Sequence, residues 1–532
     1  MVPPPPQLPA REGLRMPTAC FFFFRPYSLP KRALKLPGCY CACALSSKRL
    51  PKMAAARRLW KTWGSIGTTV SSSSRGLASV IPRISQVDNT SDFLGKHSSR
   101  RRHHPGVLHL KSVSLPPELV ETARFLVDQS SVRNMEKQIK ALTNYLWSRK
   151  RPVEITELYQ KVHKVEQQLK EEIAHAHQED SVSPPIQIDQ HKLQRKVLNA
   201  IRKTTYHWKP LKYTDELSFL YMVARMDGVF AAVFRAFHEI HKRVPDFEPR
   251  TLLDFGSGTG AVSWAAHSIW GQSVKEYMNI DCSASMLALA EKLMKGLSEE
   301  QTPCFPGVYF RQFLPVSPKV KFDLVVSAYS LNELPGYSER VETLHTLWRK
   351  TDGFLVLVEN GTKEGHQMLM EARDLILHDE EKVAHDPREP YVFAPCPHHL
   401  PCPRLSRDQP LPCNFIQKYQ PLPFKWNPPQ KEERFSFLIL SRGSGKSTEL
   451  WPRITQPVLA QSSHAHVHLC CPDGSLQHAI ITAKKHGSDL YQCARRSKCG
   501  DRLPVLNSLS ELSPEAEEET EDEKGPADKD QS

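Results

Sequence analysis

The chain has 532 residues, which is room for two or three domains of about 100 to 200 residues each and excludes a small disulfide-stapled module. Hydrophobic residues make up 40% and charged residues 24%, as in globular proteins, while 43 Pro against 24 Gly indicates long irregular stretches. Since no apolar run reaches the roughly 18 residues of a membrane span, we predict no membrane insertion.

The net charge of +13 is unevenly distributed along the chain. Residues 511–532 contain ten acidic residues and two lysines, a local balance of −8 that leaves +21 for the remainder. A body this basic favours polyanionic partners, nucleic acid first and an anionic membrane second, over an ordinary solvated surface. The acidic segment has no aromatic residue, so we predict a disordered tail over 506–532.

The amino-terminal segment has no acidic residue between Glu12 and Asp88, although Arg, Lys and Ser recur there. That composition is typical of a mitochondrial transit peptide, and the Arg-rich segment that begins at Met53 is a natural start for one. We therefore predict a disordered extension and transit peptide over 1–99 and a location in the mitochondrial matrix. The alternative is a basic arm that binds nucleic acid.

Helical periodicity follows in two blocks. Apolar residues recur at spacings of three and four over 116–178 and again over 190–237, with charged residues between them. This pattern predicts an all-helical amino-terminal domain over 100–245.

From Arg250 onward, short apolar runs alternate with helical stretches. The runs predict strands at 251–255, 277–280, 322–328, 354–358 and 435–440, with a helix over 366–377 before the last of them. Strands that alternate with helices predict an α/β domain with a parallel, doubly wound sheet. We place this domain at 246–445 with a Pro- and Cys-rich insertion over 386–430, followed by a basic C-terminal extension over 446–505.

A glycine-rich turn, with Gly256, Gly258 and Gly260, follows the first predicted strand and precedes a helix. Glycine is needed where φ is positive or a ligand approaches the backbone, and the amino end of a helix offers free N–H groups. Asp281 follows Gly260 by 21 residues, at the end of the next predicted strand, where an acid accepts hydrogen bonds from ribose hydroxyls. The pattern predicts a nucleotide-type cofactor site.

The spacing Asp254-x-Gly-x-Gly-x-Gly resembles motif I of class I S-adenosylmethionine-dependent methyltransferases, which have a Rossmann-like fold. The resemblance implies that Asp254 lies under the methionine end of S-adenosylmethionine, that the three glycines line the cofactor and that Asp281 binds its ribose. Residues 322–330 resemble the fourth strand of that family, whose end faces the transferable methyl group. A nicotinamide cofactor is the alternative.

No catalytic residue is predicted. Amino-methylating enzymes often carry Asn or Asp followed by Pro-Pro-Tyr after the fourth strand, whereas residues 330–335 read Ser-Leu-Asn-Glu-Leu-Pro. No Cys nucleophile stands near that strand end either. Asn332 and Glu333 could orient a substrate or cap a helix. Whether the chain is an enzyme stays open at this point.

Seven of the 13 cysteines lie between 396 and 499. A matrix protein is not expected to hold disulfides, so this clustering indicates a metal site. The intervals exceed the two to four residues usual within a structural zinc pair, and a four-iron four-sulfur cluster fits them better. Zinc remains the alternative, with His398, His399 and His468 as further ligands, and Cys493 and Cys499 are expected to be ordinary or reactive thiols.

Residues 393–402, Phe-Ala-Pro-Cys-Pro-His-His-Leu-Pro-Cys, and 468–474, His-Leu-Cys-Cys-Pro-Asp-Gly, carry a second resemblance. With the glycine turn, they resemble a mitochondrial methyltransferase-like family of small-ribosomal-subunit assembly factors, over about residues 53–505. The resemblance implies an iron-sulfur cluster on Cys396, Cys402, Cys413 and Cys470, with Cys471 as the competitor for the fourth place.

The same resemblance implies association with small-subunit mitochondrial rRNA and mitoribosomal small-subunit proteins. We therefore predict an rRNA-binding assembly factor required for mitochondrial translation, with an active S-adenosylmethionine-dependent rRNA methyltransferase as the alternative. Because three cluster ligands come from the insertion and one from the extension, the cluster would join the extension to the body. The extension is expected to contact rRNA through its basic residues, Lys484, Lys485, Arg495, Arg496 and Lys498.

The segment 441–448, Ser-Arg-Gly-Ser-Gly-Lys-Ser-Thr, resembles a phosphate-binding loop. Such a loop needs a glycine five positions before Gly445, where Leu440 stands, and a helix after it, whereas Pro452 follows within a few residues. No nucleoside triphosphate site is predicted here.

Overall fold

The computed structural model describes residues 104–505 apart from 179–188, 207, 298–301, 316, 318, 379–385, 407–410 and 444–449. The predicted transit peptide, the acidic tail and most of the segment 441–448 lie outside the described residues. In the described part of the chain, five helices precede the main sheet, where the periodicity predicted helices: α1 (Pro117–Asp128), α2 (Met135–Ser148), α3 (Ile155–Gln178), α4 (Gln190–Thr204) and α5 (Asp215–Arg243).

Helix α5 is the longest of these helices and lies in the core. Its start is fixed by Thr214, whose hydroxyl accepts a hydrogen bond from the backbone N–H of Leu217, and its last turn is basic. Within the described part of the chain, α5 is the one helix long and apolar enough to cross a membrane, and 72% of that stretch is buried inside the protein. Its packing against neighbouring helices and strands accounts for its apolar composition.

Eight strands form the main sheet in the order β3-β2-β1-β4-β5-β8-β6, with β7 also paired to β8. The strands are β1 (Thr251–Phe255), β2 (Glu276–Ile280), β3 (Val308–Arg311), β4 (Phe322–Ala328), β5 (Thr351–Asn360), β6 (Pro390–Ala394), β7 (Phe415–Tyr419) and β8 (Lys431–Arg442). The helices between them are α6 (Ala261–Trp270), α7 (Ala284–Lys295), α8 (Tyr337–Lys350) and α9 (Lys363–Leu377).

The sheet is mixed rather than parallel. Strands β1 to β5 are parallel in the order 3-2-1-4-5, which confirms the Rossmann-like prediction. Strand β8 runs antiparallel to β5, β6 and β7, so the prediction of a parallel sheet is wrong at this end. The reason is the short connection 420–430 between β7 and β8, which turns the chain back, whereas a parallel pair needs a longer crossover.

Two hydrophobic cores lie on the two faces of the main sheet, because successive side chains of a strand point to opposite faces. In β1, Leu252 belongs to one core and Leu253 to the other, and in β8 Ile439 and Leu440 divide in the same way. The first core also contains residues of α1, α2 and α5, so these helices share a core with the sheet. The domain boundary between 245 and 246 stays a prediction.

The C-terminal extension forms a second, four-stranded antiparallel sheet that the sequence analysis missed. Its elements are β9 (Arg453–Ile454), β10 (Leu459–Ala460), β11 (His464–Cys470), β12 (Leu476–Thr482), α10 (Ala483–His486) and α11 (Ser488–Arg496). Alternation along β11 places Ala465, Val467 and Leu469 in a third core. The alternating His-Ala-His-Val-His-Leu-Cys of this strand was the pattern that could have predicted it.

Candidate cofactor pocket and cysteine site

The glycine turn adopts the conformation that its sequence predicted. Gly256, Gly258 and Gly260 have φ values of +71°, +50° and +80°, a region that other residues rarely adopt. A Cβ atom on Gly256 would lie 2.3 Å from Oγ of Ser330, so a side chain has no room there. The turn leads directly into α6, whose first N–H groups have no partner within the helix and are available to a ligand.

The two predicted acids lie beside this turn with different surroundings. Asp254 is fully buried, and neither of its carboxylate oxygens has a hydrogen-bond partner among the described residues. Burial raises the pKa of Asp254 well above its usual range, and the nearby Asp281 raises it further. Asp281 accepts hydrogen bonds from the backbone N–H groups of Gly258 (2.9 Å) and Ser283 (2.8 Å).

These features fit an adenosyl cofactor. A buried carboxyl without a partner suits a ligand that brings a hydrogen-bond donor or a positive charge to Asp254. Each oxygen of Asp281 accepts one backbone hydrogen bond and retains a lone pair for a ribose hydroxyl. The structure thus brings together the five residues that the resemblance implied, Asp254, Gly256, Gly258, Gly260 and Asp281.

A small open cavity lies next to the turn, and its wall contains none of the five predicted cofactor residues. Tyr221 of α5 closes one side of it, since its ring lies 3.8 Å from the place of a Cβ on Gly258. Burial raises the pKa of Tyr221 to about 12, so this phenol is neutral. The wall is formed by residues of α2, α5 and the ends of β4 and β5, namely Leu146, Arg149, Tyr213, Tyr221, Arg225, Tyr329, Asn332, Glu333 and Asn360.

An ion pair occupies the loop after β4. The guanidinium of Arg149, whose side chain is 1% exposed, lies 2.6 Å from the Glu333 carboxylate and 5.1 Å from the ring of Trp208. Glu333 does not cap a helix, because the cap of α8 is Gly336 and no side chain hydrogen-bonds there. The capping alternative for Asn332 and Glu333 is therefore wrong.

A second buried pair fills the wall on the side of β8. Glu433 accepts hydrogen bonds from both terminal nitrogens of Arg225, at 3.2 and 2.9 Å, and from the Tyr329 hydroxyl at 2.9 Å. Burial raises the pKa of Tyr329, and the adjacent Glu433 carboxylate raises it further. Each of the three charged side chains that line the cavity, Arg149, Arg225 and Glu333, is thus held by an oppositely charged partner.

The four predicted cysteines come together where the insertion meets β11. Cys396, Cys402 and Cys470 are buried and Cys413 is partly buried. Burial raises the pKa of Cys396 to about 11, and the neighbouring Cys402 thiol raises it further. Burial raises the pKa of Cys470, and the thiols of Cys396, Cys413 and Cys402 raise it further. The four thiols therefore lie close enough to affect the ionisation of Cys470.

Cys470 and Cys471 point to different places. Cys470 continues the β11 face that carries His464, His466 and His468, opposite to the third core, and acts on the other three thiols. Cys471 is fully buried within the third core. Cys470 is therefore the residue that faces the cysteine site.

Three basic side chains surround the thiols, and the sequence analysis missed two of them. Nε2 of His398 lies 3.3 Å from Sγ of Cys470, and Nε2 of His366 lies 3.6 Å from Sγ of Cys402. Arg373, which is fully buried, opposes the rise in the pKa of Cys396, and its Nη1 has no hydrogen-bond partner in the described part of the chain.

His366 and Arg373 lie seven residues apart on α9, and hence on one face of that helix. No spacing relates them to the cysteines, so only the fold reveals them. The two other histidines that were considered as zinc ligands lie elsewhere: His399 accepts a hydrogen bond from the Val392 N–H, and His468 stacks on His478.

Among the described residues, no three His, Cys, Asp or Glu side chains lie close enough to bind a single metal ion. A four-iron cluster binds each thiolate at a different iron, so its ligands stand farther apart than those of one ion. Three buried thiols and one partly buried thiol beside three basic side chains fit such a cluster, because its thiolates require compensating donors and positive charge.

The C-terminal sheet is also joined to the body by a buried charge centre. Glu239 of α5 pairs with Arg235, Arg243 and Arg453, and Arg453 also donates to the Pro395 carbonyl beside Cys396. Burial would raise the pKa of Glu239, but the three arginines outweigh it and lower that pKa to about 2. The five basic residues predicted to contact RNA, Lys484, Lys485, Arg495, Arg496 and Lys498, are all exposed.

Comparison with known proteins gives relatives along most of the chain. Residues 215–504 match the family described as mitochondrial small ribosomal subunit Rsm22. The chain is 54% identical over 456 residues to the human ribosome assembly protein METTL17, mitochondrial, which spans 85% of this chain and 96% of that protein. It is 22% identical over 302 residues to Rsm22-cox11 tandem protein 2, mitochondrial, of Schizosaccharomyces pombe, 49% of this chain and 39% of that protein.

Among solved structures, a magnesium protoporphyrin IX methyltransferase of Synechocystis with bound SAM is 13% identical. The match covers 44% of this chain and all of that chain, with a TM-score of 0.24. A likeness of this size carries no argument by itself, and the fold assignment rests on the strand order of the main sheet.

Proposed function

The chain belongs to the Rsm22 family of mitochondrial small ribosomal subunit proteins, and we propose that it is an assembly factor of that subunit, acting on rRNA in the mitochondrial matrix. The identity to the human ribosome assembly protein extends along 96% of that protein, which supports the same role for the whole chain. Residues 100–510, outside the predicted amino-terminal extension and the acidic tail, keep a net charge of +9, which suits an RNA partner.

The cofactor pocket is proposed to bind S-adenosylmethionine, which supplies a methyl group when bound. Asp254 would accept a hydrogen bond from the methionine end, the glycine turn would let the cofactor approach the backbone, and Asp281 would bind the ribose. The observation that supports this is the buried, unpartnered Asp254 carboxyl next to three glycines with positive φ.

An active rRNA methyltransferase is the alternative function, favoured by the same glycine turn. Against it, the charged side chains of the cavity wall are already paired, and no nucleophile or unpaired base lies among them. A methyl-transfer assay decides between the assembly factor without activity and the active methyltransferase. It measures transfer of a labelled methyl group to a small-subunit rRNA transcript, with an Asp254→Asn variant as the blank. Transfer that disappears in the variant would establish the enzyme.

The cysteine site is proposed to hold a four-iron four-sulfur cluster on Cys396, Cys402, Cys413 and Cys470. Such a cluster supplies iron–thiolate bonds that join separate segments of a chain, and one-electron redox chemistry. The observation that carries this proposal is that the three thiols of the insertion, 6 and 11 residues apart, meet the thiol of Cys470 on β11, 57 residues beyond the last of them, beside Arg373, His366 and His398.

The test is the metal content of the full chain purified without oxygen. About four iron and four sulfide per chain, lost in Cys470→Ser and kept in the matched Cys471→Ser variant, is the expected result. One zinc without sulfide would replace the cluster by a zinc site, and iron lost equally in both variants would move the fourth ligand away from Cys470.

Contact of the extension with rRNA is tested by charge removal. In the variant K484Q/K485Q/R496Q/K498Q, affinity for a small-subunit mitochondrial rRNA transcript should fall by at least about tenfold, because about four phosphate contacts disappear. Unchanged affinity would exclude the extension as an RNA contact, and no binding by the unaltered chain would remove the RNA partner from the proposal.

A further inference from the structure

Helices α3 and α4 form an arm that stands apart from the three hydrophobic cores. Each packs mainly on the other, and Leu193 and Val197 of α4 are buried although they belong to none of the cores. Nζ of Lys161 in α3 donates to the carbonyl of Thr204 at the end of α4 (2.7 Å), so the two helices run antiparallel. We call α3 and α4 together the helical arm.

The charge of the arm is concentrated on α4. Helix α3 carries three lysines and four glutamates, whereas α4 carries five basic side chains and no acidic one. At about 100° per residue these five fall within an arc of about 120°, on the side of the helix away from Leu193 and Val197. They form the α4 stripe, which consists of Lys192, Arg195, Lys196, Arg202 and Lys203, all exposed.

Four of the five cations of the stripe have no counter-charge in the described part of the fold. Within the described residues, Lys192, Arg195, Lys196 and Lys203 form no ion pair, in contrast to the buried arginines of the cavity wall and of the charge centre. Lys192 stands three and four residues before Arg195 and Lys196, the spacings at which like charges repel on a helix. Arg202 and Lys203 lie in the last turn of α4, where the helix dipole favours cations, but four cations of the stripe still have no counter-charge among the described residues, which suits an anionic partner.

The helical arm is joined to the body at the cavity next to the glycine turn. Arg149, which follows α2, and Trp208, which follows α4, contact each other there, and Arg149 donates to the Lys209 carbonyl and pairs with Glu333. Tyr213, on the same connection to α5, lines the cavity. A polymer bound along the stripe is therefore held on an element that is fixed to the cavity mouth.

We propose that the α4 stripe binds the phosphate backbone of small-subunit rRNA, as a second RNA contact besides the C-terminal extension. The proposal rests on the proposed function, which supplies the RNA. From Lys192 to Lys203 the stripe is about 16 Å long at 1.5 Å per residue, enough to follow several consecutive phosphates. A protein partner fits less well, because charged residues are depleted at the centre of protein interfaces, and the stripe has no apolar residue within it.

The experiment measures the salt dependence of binding of the full chain to a small-subunit mitochondrial rRNA transcript. In K192Q/R195Q/K196Q/K203Q, glutamine keeps the helix propensity of α4 while removing four cations. Affinity should fall by at least about tenfold, and the slope of log affinity against log salt concentration should decrease by about 3. A circular dichroism spectrum like that of the unaltered chain verifies the fold of the variant.

The matched control removes four exposed cations from other elements, in K275Q/K292Q/K319Q/R349Q. Its affinity and slope should stay within about twofold of the unaltered chain, and an equal loss in both variants would overturn the proposal, since net charge alone would explain it. An unchanged affinity of the arm variant would also overturn the proposal for the stripe. The proposed function would then still stand if K484Q/K485Q/R496Q/K498Q weakens RNA binding.

Leu198, which is 55% exposed beside the stripe, tests the other occupant, a protein. Loss of subunit association in L198A with intact RNA affinity would assign the arm to a protein partner.

Discussion

The cofactor pocket and the cysteine site are built in opposite ways. The pocket uses a glycine turn and an acid that lie within 254–281, so two adjacent parallel strands are enough to bring them together. The cysteine site uses thiols that are spread over 396–470 and meet only when the insertion and the C-terminal sheet are both docked. A site of the first kind forms with its local elements, whereas one of the second kind depends on contacts made elsewhere.

Those contacts centre on Glu239. Its carboxylate pairs with three arginines, one of which, Arg453, lies on β9 of the C-terminal sheet and also reaches the Pro395 carbonyl next to Cys396. Beside β9, Asp501 accepts hydrogen bonds from the N–H groups of Leu108 and His109. The extension is thus held to the body by buried polar contacts as well as by any cluster that its cysteine binds.

The largest effect is expected from Glu239→Gln, which breaks the dependence of the cysteine site on docking. The change leaves three buried arginines without their counter-charge, and breaking a buried ion pair in this way costs about 3–5 kcal/mol of unfolding free energy. Urea unfolding measures this loss, and iron content should fall with it. The pocket does not involve Glu239, so binding of S-adenosylmethionine should persist in the folded fraction.

The exposed pair of Glu136 and Lys140 is the matched control. Glu136→Gln should change the unfolding free energy by less than about 0.5 kcal/mol. If Glu239→Gln is no more destabilising than this control, the charge centre does not hold the extension.

The next effect is the converse, since Gly256→Ala should damage the pocket and leave the cysteine site intact. Alanine at φ +71° is strained, and its Cβ would meet the Ser330 side chain at 2.3 Å. Strain of about 1–3 kcal/mol together with this overlap should destabilise the protein and abolish S-adenosylmethionine binding in calorimetry.

Gly271→Ala is the matched substitution, because Gly271 also has a positive φ, +54°, but no atom lies within 4 Å of its Cβ position. It should show the strain alone and retain cofactor binding. Equal losses in the two variants would mean that the contact with Ser330 is unimportant.

How far the sequence predicts each site follows from the same difference. The turn, Asp254 and Asp281 could be read from spacing, because neighbouring residues fix them. Arg373 and His366 could not, since they lie on a helix whose periodicity reports only burial. In the small C-terminal sheet, β9 and β10 have two residues each and leave no pattern, so the alternation along β11 was the signal available. The antiparallel β8 was missed because an apolar run shows that a strand exists and not its direction.

A pH dependence is expected in the pocket. Glu359 of β5 is buried, and its Oε1 accepts hydrogen bonds from the N–H groups of Leu331 and Asn332 in the loop after β4. Burial raises its pKa to about 8, whereas in the unfolded chain it loses its proton near pH 4.5. The folded protein therefore binds the extra proton between these values, so this contribution to stability is largest below pH 4.5 and is lost as the pH rises to about 8.

Glu359→Gln removes this titration and keeps the carbonyl oxygen that accepts the two hydrogen bonds. The unfolding free energy of the variant relative to the unaltered chain should rise between pH 5 and pH 8 by about 3–4 kcal/mol, because each pH unit between the two pKa values contributes about 1.4 kcal/mol. Urea unfolding at a series of pH values measures it, and a difference that does not change with pH would show that Glu359 is already ionised at pH 5.

The smallest effect concerns the basic side chains around the thiols, and it tests whether the cysteine site is tuned by the body to which it is joined. Arg373→Met keeps most of the side-chain volume on α9 and removes the guanidinium beside Cys396. Second-shell substitutions typically lower metal affinity by tenfold or more, which corresponds to about 1.4 kcal/mol. We expect iron to be lost about tenfold faster to a chelator, with the content of helix and strand unchanged.

Lys350→Met is the control, because it removes a buried cation on α8 that donates to the Ser317 carbonyl. Equal rates of iron loss in the two variants would show that Arg373 only fills space in the core.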